Sequence, residues 1–199
     1  MKSKMIKDLS LLCNNSKEVS KNVIIRVKDN TVYVGVTDGL YLIAYKEKLH
    51  EQVEDCSFVI TYLSFNDVND EDKEMFIIEN GKLSINPDLQ VKTDTNSCPN
   101  INDVLITEYD TQINIDDFIE KIQKDIKPFL NYLSSLKISC ISEEKEIFTR
   151  TILYFLYYLS SIDDDIKLCD FAVQSERFGA RIKLSEDIEY LCVNMFKLV

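Results

Sequence analysis

A chain of 199 residues with 45% apolar and 10% aromatic side chains can bury one large core or two smaller ones, and lies far from the composition of disordered chains. Its formal net charge of −11 excludes a protein that coats nucleic acid with its general surface. One histidine and four glycines in all leave no nucleophile–base pair to assemble and no glycine-rich phosphate loop.

In chain order, Met5, Ile6, Leu9, Leu12 and Cys13 fall at helical spacing, which predicts an amphipathic helix over residues 3–15 with Lys4 and Lys7 off its apolar stripe. Residues 1–21 hold five lysines against Asp8 and Glu18, a local +3, so the remaining 178 residues carry −14. A basic helix on an acidic body suits focused contact with a polyanion; an ordinary solvated helix end fits the same residues. Val23, Ile25 and Val27 then alternate with their neighbours, Asp29 and Asn30 turn the chain, and Val32, Val34 and Val36 continue it, which predicts a β-hairpin. Asp38 and Gly39 break that strand, and 40–46 supply a third. Beyond a charged loop come a strand at 57–61 and a short helix at 63–68. Further strands are predicted at 75–78, 82–85 and 89–93, the first two joined by the turn signal Asn80-Gly81.

Residues 94–103 are polar and turn-rich, the best linker candidate, and a strand at 104–109 fits either side of it. Asn114 is placed to cap a helix whose first turn holds Asp116 and Asp117 and whose apolar face is Ile115, Phe118, Ile119, Ile122 and Ile126. Lys121 and Lys124 lie on its other side, and Pro128 stops or kinks it. A strand at 136–142 and a short buried helix at 151–159 follow, then strands at 166–173, 179–184 and 188–198. The apolar run at 151–159 is too short to span a bilayer, and residues 1–7 lead into an amphipathic pattern rather than a signal sequence. These features predict a soluble, unexported, cytoplasmic protein without membrane contact.

The six cysteines are widely spaced, with no Cys-x-x-Cys pattern; their even number allows a disulfide framework, and buried thiols are the expectation. His50 sits in a charged loop and is expected to be solvated, and the acidic runs at 70–72 and 163–165 are expected to be solvated turns without metal. No catalytic residue, metal site or cofactor is assigned; the chain reads as a binding protein rather than an enzyme.

Helix, acidic turn and strands occur twice: aligning Met75 with Ile166 gives an offset of 91 residues, whereas aligning the first helices, Ile6 with Phe118, gives 112. The expectation is two α+β domains with antiparallel sheets and short helices, 1–103 and 104–199, the second reduced by about twenty residues.

The order of these elements, the segment from Val34 to Leu42 with its Thr37-Asp38 pair, the run from Phe58 to Phe65, and the closing stretch from Leu153 through Val193 to Leu198 resemble the DNA sliding clamps, the processivity rings of replicative polymerases, which include phage and viral two-domain clamps. The resemblance implies helices lining a ring around double-stranded DNA, with Lys4, Lys7, Lys121 and Lys124 touching phosphates without reading sequence. It implies a homotrimer if the ring closes, and a hydrophobic groove that captures short peptides of a DNA polymerase or other replication protein. Ile101, Val104, Ile106, Met195 and Phe196 are the residues expected to border that groove; burial of both faces of the chain end fits the same pattern. Two alternatives remain: a non-ring accessory factor of the same fold acting in transcription or on a host protein, and an acidic DNA-mimicking inhibitor.

Overall fold

The computed structural model describes residues 22–37, 41–61, 73–89, 91–94, 100–109, 111–117, 120, 166–174 and 177–195. The helices expected at 3–15, 63–68 and 151–159, the strand at 136–142, both acidic runs and Phe196 lie outside the described residues, as do Lys4, Lys7, Lys121 and Lys124.

The first hairpin forms as its alternation predicts. β1 (Asn22–Lys28) and β2 (Thr31–Thr37) pair antiparallel in a register that sets Lys28 opposite Thr31. The two residues between them, Asp29 and Asn30, have φ of 49° and 60°, the left-handed geometry that a two-residue hairpin needs and that Asn and Asp tolerate. Asn30 also holds the next loop: its Nδ2 donates to the Leu49 carbonyl at 2.8 Å and its Oδ1 accepts from the Val53 N–H at 2.9 Å. β3 (Tyr41–Lys48) pairs with β2, and β4 (Cys56–Thr61) with β1. β5 (Phe76–Glu79) and β6 (Lys82–Ile85) form a separate two-stranded sheet, turning at Asn80 and Gly81 with φ of 52° and 74°.

Two predicted strands are corrected. Residues 89–93 divide into a 3-10 turn, Pro87–Leu89, and a two-residue strand β7 (Thr93–Asp94). Residues 104–109 form no strand: a 3-10 turn, Ile101–Asp103, leads into an irregular run that lies over the sheet. The apolar character of this run comes from covering a sheet, not from joining one. β8 (Thr111–Asn114) follows, and the helix begins at Ile115 with Asn114 Oδ1 accepting the Asp117 N–H at 3.1 Å. Asn114→Ala is expected to cost about 1 kcal/mol, the usual value of such a cap, measured as a shift of the urea unfolding midpoint.

β9 (Leu168–Gln174), β10 (Arg177–Lys183) and β11 (Ile188–Met195) complete a nine-stranded antiparallel sheet in the order β7-β4-β1-β2-β3-β11-β10-β9-β8. The five strands of this sheet that precede residue 103 are neighbours, as are the four that follow it, and β3 joins β11 at the seam. The 91-residue offset carries β5 onto the start of β9 but β6 onto residues 173–176, outside β10, so the strands do not repeat at that spacing.

Each strand divides its side chains between two faces. Val23, Ile25, Val27, Val32, Val34, Ile43, Ile60, Ile182, Tyr190 and Cys192 point to one side and form the main core. Full burial of one such side chain contributes about 1.5–3 kcal/mol relative to exposure. Ile24, Leu42, Ala44, Val59, Leu191 and Val193 point to the other side, where residues 100–109 cover them. Cys169 and Cys192 are buried free thiols and Cys56 is half-buried; burial pushes the Cys169 thiol well above its ordinary pKa. Among the described residues no helix is long and apolar enough to cross a membrane, and no cluster of side chains is arranged to hold a metal ion.

Candidate partner groove under the connector

The connector, residues 100–109, is pinned to the sheet at four points. Ile101 and Ile106 are only 2% and 4% exposed, and each enters a slot that a glycine opens. A Cβ built on Gly35 of β2 would stand 3.3 Å from Ile101 Cδ1, and one built on Gly179 of β10 would stand 2.6 Å from Ile106 Cδ1. Two arginines hold the first half. Arg26 Nη1 donates to Asn100 Oδ1, and Arg177 Nη1 donates to the Asp103 carbonyl at 2.6 Å. Two polar atoms in the connector, Asn102 Oδ1 and the Tyr109 hydroxyl, are buried without a hydrogen-bond partner among the described residues; each such orphan costs about 1–3 kcal/mol.

Beside the connector runs a groove of about 430 Å³. Tyr33 and Leu191 line it from the sheet, Leu105, Ile106 and Tyr109 from the connector, and Lys28, Asp29, Lys46, Arg181 and Glu189 supply its charges. The Arg181 guanidinium lies 4.3 Å from the centre of the Tyr109 ring, within cation–π range. Burial raises the Tyr109 phenol above its ordinary pKa, with Arg181 acting against the rise.

Arg181 is itself oriented by Asp170. Its Nε and Nη2 both reach Asp170 Oδ2, at 3.0 and 2.8 Å, while Gln112 Nε2 donates to Oδ1 at 2.9 Å. Burial alone would raise the Asp170 pKa, but the Arg181 and Gln112 hydrogen bonds outweigh it and hold the carboxyl below the usual carboxylate range. A depressed folded-state pKa stabilises the protein above the unfolded value of about 4 and ceases to do so as pH falls through the folded one. Asp170→Asn should therefore flatten the acid limb of stability below about pH 4, by on the order of 1 kcal/mol, in urea midpoints measured against pH.

The groove lies on a basic face. Arg26 and Lys28 on β1, Lys46 and Lys48 on β3, and Arg177, Arg181 and Lys183 on β10 share the parity of Ile24, Leu42 and Gly179, and so point to the connector side. Asp94, Asp170 and Glu189 are the strand acids of known parity on that side, each opposite or alternate to a connector-side residue. The strands of this face thus carry seven bases against three acids, and Asp29 at the groove and the exposed Asp103 and Glu108 of the connector offset most of that excess. One row crosses the sheet as Lys183, Glu189, Lys46, Tyr33 and Arg26, and Lys46 Nζ meets Glu189 Oε2 at 3.2 Å.

No protein-family model matches the chain, and no curated protein sequence matches it. Solved structures do. The DNA polymerase III β subunit of Thermotoga maritima superposes with a TM-score of 0.54 at 11% identity, over 98% of this chain and 63% of that one. The Streptococcus pneumoniae DNA polymerase III β chain gives 0.55 at 10% identity, over 100% and 64%. The Helicobacter pylori β clamp, solved with carprofen, gives 0.56 at 12% identity, over 99% and 64%. The fold is that of a DNA sliding clamp. The chain spans just under two thirds of the length of these clamps.

On this clamp fold the residues singled out from sequence take different places. Ile101 and Ile106 are brought together over the sheet as buried plugs; Ile106 also forms part of the groove wall, and Val104 is half-buried beside them. Met195 ends β11, with its side chain outside what the structure describes. His50 is solvated, with its side chain 86% exposed and Nε2 4.0 Å from Asp187 Oδ2. Tyr33, Lys46, Leu105, Tyr109, Arg181 and Leu191 were not anticipated as groove residues. The alternation of Arg26 and Lys28 with Val23, Ile25 and Val27 is a signal that could have placed two bases on one strand face; nothing local signals that residues more than 70 positions apart would meet there.

Proposed function

We propose that the protein is a clamp-like DNA replication processivity factor that encircles duplex DNA without sequence preference and tethers a DNA polymerase or other replication proteins through the connector groove. The observation that carries this reading is the match of essentially the whole chain to bacterial clamps at TM-scores of 0.54 to 0.56. Two units, 1–103 and 104–199, would each supply one block of the sheet, and three copies would complete a six-unit ring. Lys4 and Lys7, with Lys121 and Lys124 second, are the phosphate contacts of the proposal, and Val104, Met195 and Phe196 remain candidates for extending the groove. No catalytic step and no cofactor is assigned to the chain.

The test joins solution mass to DNA retention. A trimeric mass and salt-dependent retention on closed circular DNA are expected. Lys4→Glu with Lys7→Glu should weaken retention and reduce the slope of log affinity against log salt by about one unit for each phosphate no longer neutralised. A monomer that fails to retain DNA defeats the ring.

One observation favours a second reading, a non-ring accessory factor of the same fold. β3 and β11 are paired on both sides within one chain, so among the described residues the outermost strands of the nine-stranded sheet are β7, of two residues, and β8, of four. Short edges give a ring little backbone pairing to close with. A monomeric mass with intact peptide binding would select this reading.

A further inference from the structure

We propose that the Asp170–Arg181 pair is a conformational latch that ties the end of the connector to strand β8, so that a shift of either one moves the other. Residue 110 alone separates Tyr109, the last residue of the connector, from Thr111, the first of β8. Within that one step the chain passes from a run lying over the sheet into the outermost strand of its far block. β8 has one described neighbour, β9, along four residues. So short a ladder is a weak hold by itself.

The ion pair grips both sides of the passage. Gln112 of β8 stands directly opposite Asp170 of β9, and Asp170 directly opposite Arg181 of β10. The three side chains therefore form one row on the connector side of the sheet, each within reach of the next. Asp170 spends one oxygen on each neighbour: Oδ1 accepts from Gln112 Nε2 at 2.9 Å, and Oδ2 from Arg181 Nε and Nη2 at 3.0 and 2.8 Å. Two N–H groups of one planar guanidinium on the same oxygen set its tilt as well as its position. That guanidinium lies 4.3 Å from the centre of the Tyr109 ring. The Tyr109 hydroxyl is buried with no hydrogen-bond partner among the described residues, so the polar hold on this side chain there is through its ring.

The same arrangement makes the pair a transmitter. The Arg181 and Asp170 side chains are only 19% and 17% exposed, and a charge taken that far out of water is costly without its partner. The guanidinium therefore follows the carboxylate rather than turning to solvent. Displacing Gln112 frees Oδ1 and lets the carboxylate turn; the guanidinium turns with it, and the Tyr109 ring loses the surface it rests on. The reverse holds by linkage: lifting Tyr109 loosens Arg181, then Asp170, then the hold on β8. The latch is a property of the single chain and stands apart from ring closure, DNA retention and peptide capture.

Hydrogen exchange in the isotopically labelled full chain tests it at three places. The Arg181 Nε–H, identified by its disappearance in Arg181→Lys, reports on the pair. The Val104 and Leu105 amides, bonded to the Ile101 carbonyl, report on the connector, and the Ile115 amide, bonded to the Lys167 carbonyl at 2.9 Å, reports on the end of β8. Gln112 is exposed, so Gln112→Leu leaves the fold intact. It is expected to speed exchange of the Arg181 Nε–H and of the connector amides by roughly two- to tenfold, the worth of one hydrogen bond. Gln112→Lys keeps a donor and should restore slow exchange. Tyr109→Leu should speed exchange at Ile115 by a similar factor, whereas Tyr109→Phe, which keeps the ring, should not. Because both changes act through one pair, the double variant Gln112→Leu, Tyr109→Leu should speed the Arg181 Nε–H by less than the product of the single effects. Effects that multiply, or connector amides unmoved by Gln112→Leu, overturn the latch and leave a local ion pair. Equal acceleration of every amide, that of Val34 in β2 included, overturns it too, as a loss of global stability.

Discussion

Replacing Gly179 by valine is expected to lower the unfolding free energy by about 2–4 kcal/mol and to lift Ile106 off the sheet. A Cβ at this position would lie 2.6 Å from Ile106 Cδ1 and 3.4 Å from its Cβ and Cγ1. A single methyl meets only the far end of a side chain that can rotate; the branched methyls of valine also meet the part that cannot. The slot is closed from below, because Gly179 pairs with Val193 of β11 on one side and Ala172 of β9 on the other, both buried. The connector has little in reserve, since Asn102 Oδ1 and the Tyr109 hydroxyl are already buried without partners among the described residues. Urea unfolding measures the loss, and hydrogen exchange locates it. The amides of Val104 and Leu105, which donate to the Ile101 carbonyl at 3.1 and 3.3 Å, should exchange faster. Adding Ile106→Ala should cost much less in the Gly179→Val background than alone, because both changes act on the same packing of Ile106 against β10. Additive losses, or unchanged exchange at 104 and 105, would show that Gly179 does not hold the connector.

What the sequence made legible is what depends on neighbours in the chain. The Asp29-Asn30 and Asn80-Gly81 turns, the alternation of β1 and β2, and the Asn114 cap are local arrangements in which side-chain chemistry sets backbone geometry directly, and all form as expected. The connector was misread as strand because three consecutive apolar residues, Val104 to Ile106, look alike whether they pair in a sheet or lie across one. Its true role depends on glycines 66 and 73 residues away, at Gly35 and Gly179. The groove was legible only in part for the same reason. The sequence pointed to an apolar site bordered by Ile101, Val104, Ile106, Met195 and Phe196; of these Ile101 is buried against the sheet, and Ile106, buried too, also lines the groove. Leu105 and Tyr109 line the groove beside Ile106, and Lys46, Arg181 and Leu191 reach it only because β3 and β11 pair at the seam. That pairing joins residues about 150 positions apart, and no periodicity within either strand encodes it.

The seam is also where the largest single loss of stability is expected. Tyr190 of β11 stands directly opposite Tyr45 of β3, the two rings meeting edge to face with centroids 5.3 Å apart and planes at 66°. Tyr190 is 1% exposed and among the largest fully buried side chains, so Tyr190→Ala should cost about 3–5 kcal/mol, the range for truncating a buried aromatic. The ring pair itself accounts for about 0.5–1.5 kcal/mol of this, to be read from a double-mutant cycle with Tyr45→Leu. Tyr45→Phe probes a different interaction, the hydrogen bond from the Tyr45 hydroxyl to Glu47 Oε2. Burial raises both phenols above their ordinary pKa, and Glu47 raises them further. A raised folded-state pKa means that stability is full below the unfolded value of about 10 and is lost as pH rises beyond it, so the wild type should weaken steeply above about pH 10 and a Tyr45→Phe, Tyr190→Phe variant less so. Because β11 lies in the middle of the nine strands, its loss separates the two blocks of the sheet. Tyr190→Ala is therefore expected to unfold in one transition at lower urea, rather than to fray from an edge. Two resolved transitions, one unchanged in midpoint, would mean that the blocks hold together independently and that the seam is a contact between two stable units.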